Sequence, residues 1–185
     1  MKHFVFSLLA ICLIFVSGLS SARAEEVVAA KIAVLDVQKL LAESLAGKSL
    51  QEQLKARRDT LQGEASAIEK KLKGEEQSII KGRASLEPEE FEKKKKKFES
   101  DVLSSRKEIL KKSNELDEAR KEALTKLRNG IAKAAADIAD EKKFQLVVDR
   151  QFVVLVEQSL DITDLVLAKL NDQVKSISLA KAKSK

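Results

Sequence analysis

The chain of 185 residues contains no tryptophan or tyrosine and only one cysteine, one histidine and one proline. Cys12 and His3 lie close to the N-terminus, so the rest of the chain has neither a thiol nor an imidazole. This excludes disulfides, thiol or histidine catalysis and zinc sites built on these ligands there. Paired carboxylates such as Glu75-Glu76 fall on predicted solvated helix faces. We therefore predict a protein that is not an enzyme, with no catalytic residue, metal site or cofactor.

The N-terminus has the features of an export signal. Lys2 and His3 precede an apolar run over residues 4–16, and Ala22-Arg23-Ala24 follows it. This order is typical of a secretory signal peptide, and we predict cleavage after Ala24. A retained membrane anchor is the alternative, although the run is shorter than the roughly 20 residues that span a bilayer. A lipoprotein cut before Cys12 is disfavoured by the bulky Ile11.

Charge is close to balanced in the remaining 161 residues. Without Lys2 and Arg23, 33 basic and 29 acidic residues remain, which gives a net charge of +4. The last eleven residues are different, because they carry four lysines and no acidic residue. We expect residues 175–185 to form a disordered basic tail.

Apolar residues recur in alternating steps of three and four, which indicates two long amphipathic helices. The first series is Leu54, Leu61, Ala65, Ile68, Leu72, Ile79 and Leu86, and the second is Phe91, Phe98, Val102, Ile109, Leu116, Ala119, Ala123 and Leu127. Pro88 is tolerated near a helix start, so it should begin the second helix after a turn at residues 85–87. The two helices then form an antiparallel hairpin over residues 51–124.

The register of this hairpin follows from the turn. Facing positions should sum to about 174, which pairs Leu72 with Val102 and Ala65 with Ile109. Arms of that length would reach on the order of 65 Å at 1.5 Å per residue. Polar or small residues interrupt the seam near the turn, so we expect the two helices to be weakly held there.

Five consecutive lysines, Lys93 to Lys97, lie between Phe91 and Phe98. They could be one solvated helix face, since Glu89 and Glu92 precede Lys93 and Lys96 in the favourable order for helix ion pairs. They could instead form a cationic arm tip that contacts acidic or amphipathic surfaces outside the cytoplasm. Nucleic acid is the least favoured partner, because no aromatic platform or base-reading motif accompanies the charges.

The remaining segments predict a small sheet covered by a helix. We expect strands at residues 31–36, 144–149 and 152–156, the last two forming a hairpin. Asp161 should cap a final amphipathic helix. Three short strands cannot close a sheet, and their open edges should pair between subunits. The predicted oligomer residues are Ile32, Val34, Leu146, Val148, Val153 and Leu155.

Three stretches, "KIAVLDVQKLLAES" followed by Gly47, "FQLVVDR" and "DITDLVLAKLN", resemble the Skp or OmpH family of periplasmic chaperones. The resemblance implies an α+β, mostly α fold in which a long antiparallel helical hairpin, or tentacle, projects from a small oligomeric β body. It also implies a homotrimer that holds unfolded outer-membrane β-barrel proteins between its arms without ATP. Val156 replaces a tyrosine that the family often has in its last strand. The family's proposed lipopolysaccharide site has no matching pattern here.

The resemblance and the pattern together divide the chain into four parts. These are a signal peptide over residues 1–24, an oligomerisation body over 25–50 and 125–174, an arm over 51–124, and a basic tail over 175–185. Diffuse client contacts are predicted at Lys81, Arg83, Phe91, Lys93, Lys94, Lys96, Lys97 and Phe98. Contact with anionic lipid or lipopolysaccharide stays open, no nucleic acid is expected, and a periplasmic scaffold that docks one folded partner is the alternative function.

Overall fold

The computed structural model describes residues 30–179. The elements follow in the order β1 (Ile32–Leu35), α1 (Val37–Glu43), α2 (Leu45–Gly82), α3 (Pro88–Lys142), β2 (Leu146–Asp149) and α4 (Thr163–Gln173). Two 3₁₀ turns, Arg150–Phe152 and Gln158–Leu160, lie between β2 and α4. The predicted fold class, α+β and mostly α with a long helical hairpin beside a small sheet, is confirmed.

The predicted signal peptide and its cleavage site lie outside the described residues. Of the helices between residues 30 and 179, none has both the length and the apolar character needed to cross a bilayer.

The first helical stretch begins with two short capping motifs. Asp36 caps α1 by accepting a hydrogen bond from the Lys39 amide at 2.8 Å. Ser44 ends α1 and caps α2, accepting from the Gly47 amide at 3.1 Å. Ser44 thus separates α1 from α2, because its side chain satisfies an amide that the start of a helix leaves without a partner.

The helices α2 and α3 form the predicted antiparallel hairpin. Pro88 occupies the first turn of α3, as expected, and the chain turns over residues 83–87. Across the hairpin, Lys112 Nζ lies 2.8 Å from Glu64 Oε2, and these positions sum to 176. The predicted register of about 174 is therefore correct to within two residues.

The second long helix extends further than its predicted series of apolar residues, which ends at Leu127. It continues past Leu127 to Lys142 and ends at Lys143, whose left-handed backbone has φ 61°. Ile131, Ala134 and Ile138 are buried along this extension. The same helix therefore forms one side of the arm and, at its C-terminal end, the centre of the body.

The sheet consists of β1 and β2, which run parallel with Ile32 opposite Leu146 and Val34 opposite Val148. Parallel strands need a long crossover, and here the entire helical hairpin supplies it. On the other side of β1, the Ile162 amide donates to the Val34 carbonyl at 3.0 Å. Both edges of β1 are thus occupied, whereas the outer edge of β2 has no paired strand within residues 30–179.

The predicted hairpin of residues 144–149 and 152–156 is wrong. The Asp149 carboxylate accepts from the Gln151 amide at 3.1 Å, and residues 150–152 form a 3₁₀ turn. Val153 is extended, but residues 153–156 pair with no strand in the described chain. Apolar, β-branched sequence favours an extended backbone; it does not by itself provide a strand partner.

The final helix packs over the body as predicted, with Ile162, Val166 and Leu170 all 2 % exposed or less. Its cap differs from the expected one. Ile162 occupies the N-cap position, and Asp161 instead accepts from the Thr163 amide at 2.9 Å. The Thr163 hydroxyl in turn accepts from the Asp36 amide at 2.9 Å, which ties α4 to the start of α1.

The beginning of the basic tail is ordered, contrary to expectation. Val174 packs against the core, and Ile177 and Leu179 are buried in the same cluster. Residues 180–185, which carry three of the four tail lysines, lie outside the described range.

Candidate functional site

The arm is well packed only at its root. Leu50 and Leu54 of α2, together with Ala119 and Ala123 of α3, are buried there. From residue 55 to residue 118 no described side chain is buried; the seam residues are at best half-buried. A pair of helices without flanking layers cannot cover its own seam, so the outer arm is a thin, largely solvated ribbon.

An ion pair crosses this outer seam. Lys112 Nζ lies 2.8 Å from Glu64 and 3.0 Å from Glu108. Its hydrogen bonds to Glu64 and to Glu108 raise the pKa of Lys112. Lys112 therefore interrupts the apolar seam with a charged bridge between the helices.

The five-lysine run occupies the first turns of α3, beside the arm tip, and all five side chains are exposed. Lys97 donates to Asp101 at 2.7 Å, and this hydrogen bond raises the pKa of Lys97 and lowers that of Asp101. The ion pairs of the alternative interpretation, Glu89 with Lys93 and Glu92 with Lys96, do not form within the described part of the arm, where Lys97 with Asp101 is the pair made by the run. Most of the run is therefore directed to solvent rather than neutralised along its own helix.

The other predicted contact residues surround the same tip. Lys81 and Arg83 are exposed at the end of α2, and Phe91 and Phe98 are half-buried on the seam of α3. The turn at residues 83–87 brings the two groups to one end of the hairpin, as predicted. The resulting surface is rich in cations and includes the half-buried Phe91 and Phe98.

Sequence reasoning missed three large apolar side chains on the arm surface. Ile80, Leu103 and Leu110 are each between 64 % and 67 % exposed. Each directly follows a half-buried seam residue, and the positions after the seam lie on the same flank of an antiparallel pair. Lys97 and Asp101 precede seam residues, so their ion pair lies on the opposite flank. The signal that could have revealed this apolar flank was a second apolar residue directly after a seam residue, which the seam itself does not need.

The body exposes a second apolar surface. Of the predicted oligomer residues, Val34 is buried, Val148 and Val153 are half-buried, and Ile32, Leu146 and Leu155 are 40 %, 52 % and 90 % exposed. Phe152 at 76 % and Val154 at 102 % were not predicted as oligomer residues. Together, Phe152, Val154 and Leu155 form an exposed apolar segment that follows the C-terminal end of β2.

Within residues 30–179 no group of His, Cys, Asp or Glu side chains has the arrangement of a metal site. The described carboxylates lie instead in ion pairs, helix caps and solvated faces.

The family model described as "Outer membrane protein (OmpH-like)" matches residues 31–170. The chain belongs to the OmpH-like family. The fold agrees with this assignment: a Caulobacter crescentus CB15 protein described as an OmpH-like outer membrane chaperone superimposes with a TM-score of 0.79. That match has 17 % sequence identity and covers 84 % of this chain and 92 % of the other. No curated protein has a significant sequence match.

Membership of the OmpH-like family confirms the resemblance noted from the three sequence stretches. It supports a chaperone role in general terms. The match ends at residue 170, within α4, so the segment after α4 lies outside the matched residues.

Proposed function

We propose that the protein is an ATP-independent periplasmic holdase that binds unfolded outer-membrane proteins between its helical arms and prevents their aggregation. The observation that carries this proposal is the thin outer arm, which has no buried residue of its own but presents cations and large apolar side chains to solvent. Such a surface suits many weak contacts with an unfolded chain better than one fixed contact with a folded protein.

The proposed client contacts combine two kinds of interaction. Lysines of the run and the exposed Lys81 and Arg83 attract acidic segments over a distance of about one Debye length. Phe91, Phe98 and the apolar flank add short-range contacts with the alternating apolar residues of a β-barrel strand. Contact of the same cations with anionic lipid or lipopolysaccharide is a further prediction of this surface.

The proposal includes a homo-oligomer, with three subunits as the family resemblance implies. Support comes from the exposed apolar segment after β2 and from the outer edge of β2, which has no partner strand within residues 30–179. An unpaired strand edge next to exposed apolar residues invites another chain. A neighbouring subunit that adds residues 153–156 to this edge would satisfy the backbone and bury Phe152, Val154 and Leu155.

The test uses the mature protein, lacking residues 1–24, and a denatured outer-membrane protein diluted into buffer without ATP. We expect the client to stay soluble at about one oligomer per client, and light scattering to give the mass of an oligomer and of its complex. A client that aggregates as fast as in buffer alone would refute the holdase function. Saturable binding of one folded partner, lost on single substitutions, would favour the scaffold alternative instead.

A further inference from the structure

The segment that follows α4 packs against the root of the arm. Val174 ends α4 with φ −136° and ψ 93°, and its side chain packs near Gly130 of α3. Beyond it, Ile177 and Leu179 are 9 % and 8 % exposed, whereas Ser176 and Ser178 face solvent. We call residues 174–179 the strap. Over residues 176–179 its side chains alternate between solvent and core, as in a strand that covers an apolar surface.

One side chain of α2 forms hydrogen bonds with the backbone of this strap. Gln53 Nε2 donates to the Ile177 carbonyl at 2.9 Å, and Gln53 Oε1 accepts from the Leu179 amide at 3.0 Å. In a parallel sheet, the amide of one residue donates to the carbonyl that precedes a residue of the neighbouring strand. Its carbonyl accepts from the amide that follows that same residue, and the Gln53 amide makes this pair of bonds around Ser178. The Gln53 amide therefore substitutes for one residue of a strand and can recognise an extended backbone of any sequence.

The strap lies in an apolar site at the arm root. Leu50 and Leu54, which flank Gln53 on α2, belong to the same buried cluster as Ile177 and Leu179. We call this site the root groove. It combines hydrogen bonding to the backbone with apolar burial of alternate side chains, Ile177 and Leu179, which are the two components of peptide recognition by strand addition.

We infer that the root groove is a binding site for an extended polypeptide segment with alternating apolar residues, and that the strap is its intramolecular competitor. The strap is attached directly to α4, so its effective concentration at the groove is on the order of millimolar. A free segment must displace it. Assigning the displacing ligand to the strands of an unfolded outer-membrane protein rests on the proposed function, because such strands have the same alternation as the strap.

The first test releases the strap in the mature protein with Ile177→Ser and Leu179→Ser. A fluorescent peptide with the sequence of residues 174–180 is then titrated and its anisotropy is followed. We expect saturable binding to the released variant and at least about tenfold weaker binding to the wild type, where the strap competes. Adding Gln53→Leu to the released variant keeps the side-chain size but removes the amide, and should weaken binding about tenfold. A peptide with serine in place of Ile and Leu is the matched control.

The second test keeps the wild-type strap. Amide exchange at Leu179 is measured with and without saturating unfolded client, and we expect faster exchange when the client displaces the strap. Two results would contradict a peptide-binding site in the root groove. One is no peptide binding to a released variant that keeps its helical content, and the other is peptide binding that Gln53→Leu does not weaken. If the released variant does not fold, unchanged Leu179 exchange in a soluble wild-type complex would overturn the inference. Retained solubility there would still leave the holdase function in place.

Discussion

The backbone of Gly47 lies against the carbonyl group of Leu41, so closely that a Cβ at residue 47 would be 2.2 Å from the Leu41 oxygen. The contact occurs where Ser44 separates α1 from α2, at the root of the arm. The closest atom is a backbone oxygen, which cannot move aside as the end of a flexible side chain could, and the side-chain oxygen of Ser44 lies 3.0 Å away as well. The position where the arm joins the body is therefore fixed by the absence of a side chain.

We predict that Gly47→Ala destabilises the protein by about 1–3 kcal/mol, as expected for overpacking against backbone. Gly63→Ala is the matched control, because nothing lies within 4 Å of a Cβ at that exposed helical position. The control should stabilise α2 by about 0.5–1 kcal/mol. Chemical denaturation of both variants checks the prediction, and equal effects of the two substitutions would contradict it.

Reversal of Lys93, Lys94, Lys96 and Lys97 to glutamate should weaken client binding and reduce its dependence on salt. The physical reason is that exposed charges attract an unfolded chain over distances that salt screens. Lys94→Glu alone is the control and should change the affinity little, since each charge contributes a small part of a diffuse interaction. Client titrations at low and high salt measure both effects. An unchanged affinity and salt slope in the quadruple variant would remove the electrostatic part of the proposed function.

Substitution of Phe152 and Leu155 by serine should dissociate the proposed oligomer. If these exposed side chains are buried between subunits, each loss of about 2 kcal/mol weakens association roughly 30-fold. Leu103→Ser, on the arm and comparably exposed at 67 %, is the control that should leave the mass unchanged. Light scattering over a dilution series distinguishes the cases. A double variant that retains the wild-type mass at every concentration would place the interface elsewhere.

Asp161 should contribute an acid-sensitive part of the stability. Burial raises its pKa, but hydrogen bonds from Thr163 and the nearby charge of Arg150 outweigh this and leave the pKa below its ordinary value of 3.8. A folded pKa below the unfolded one stabilises the protein above about pH 4, and the contribution is lost as the pH falls through the folded value. The stability difference between wild type and Asp161→Asn should therefore shrink below pH 4. A constant difference from pH 6 to pH 3 in thermal unfolding would contradict the assignment.

The elements that the sequence predicted well are those with a local signal. The period of apolar residues located the two long helices, and Pro88 located the turn between them. The turn then placed Glu64 opposite Lys112 to within two residues. The cationic tip followed, because a hairpin necessarily brings the end of one helix to the beginning of the next.

The errors concern segments whose partners are distant in sequence. Residues 152–156 have strand-forming composition, yet Asp149 turns the chain and the segment stays unpaired in the described protein. Residues 175–185 were expected to be disordered because they carry four lysines and no acidic residue, but Gln53, which binds the strap, lies 124 residues before Ile177. The apolar flank was overlooked because only the seam positions were counted.

By itself, the sequence determined the helical hairpin, its length and its charged tip, because helix periodicity and proline act through neighbouring residues. Only the tertiary structure decided that β1 and β2 are parallel, that residues 153–156 are left exposed, and that the strap is held in the root groove. These outcomes depend on which backbone groups meet across more than a hundred residues. Alternating apolar residues create the capacity for such pairing, but the packed body selects the partner.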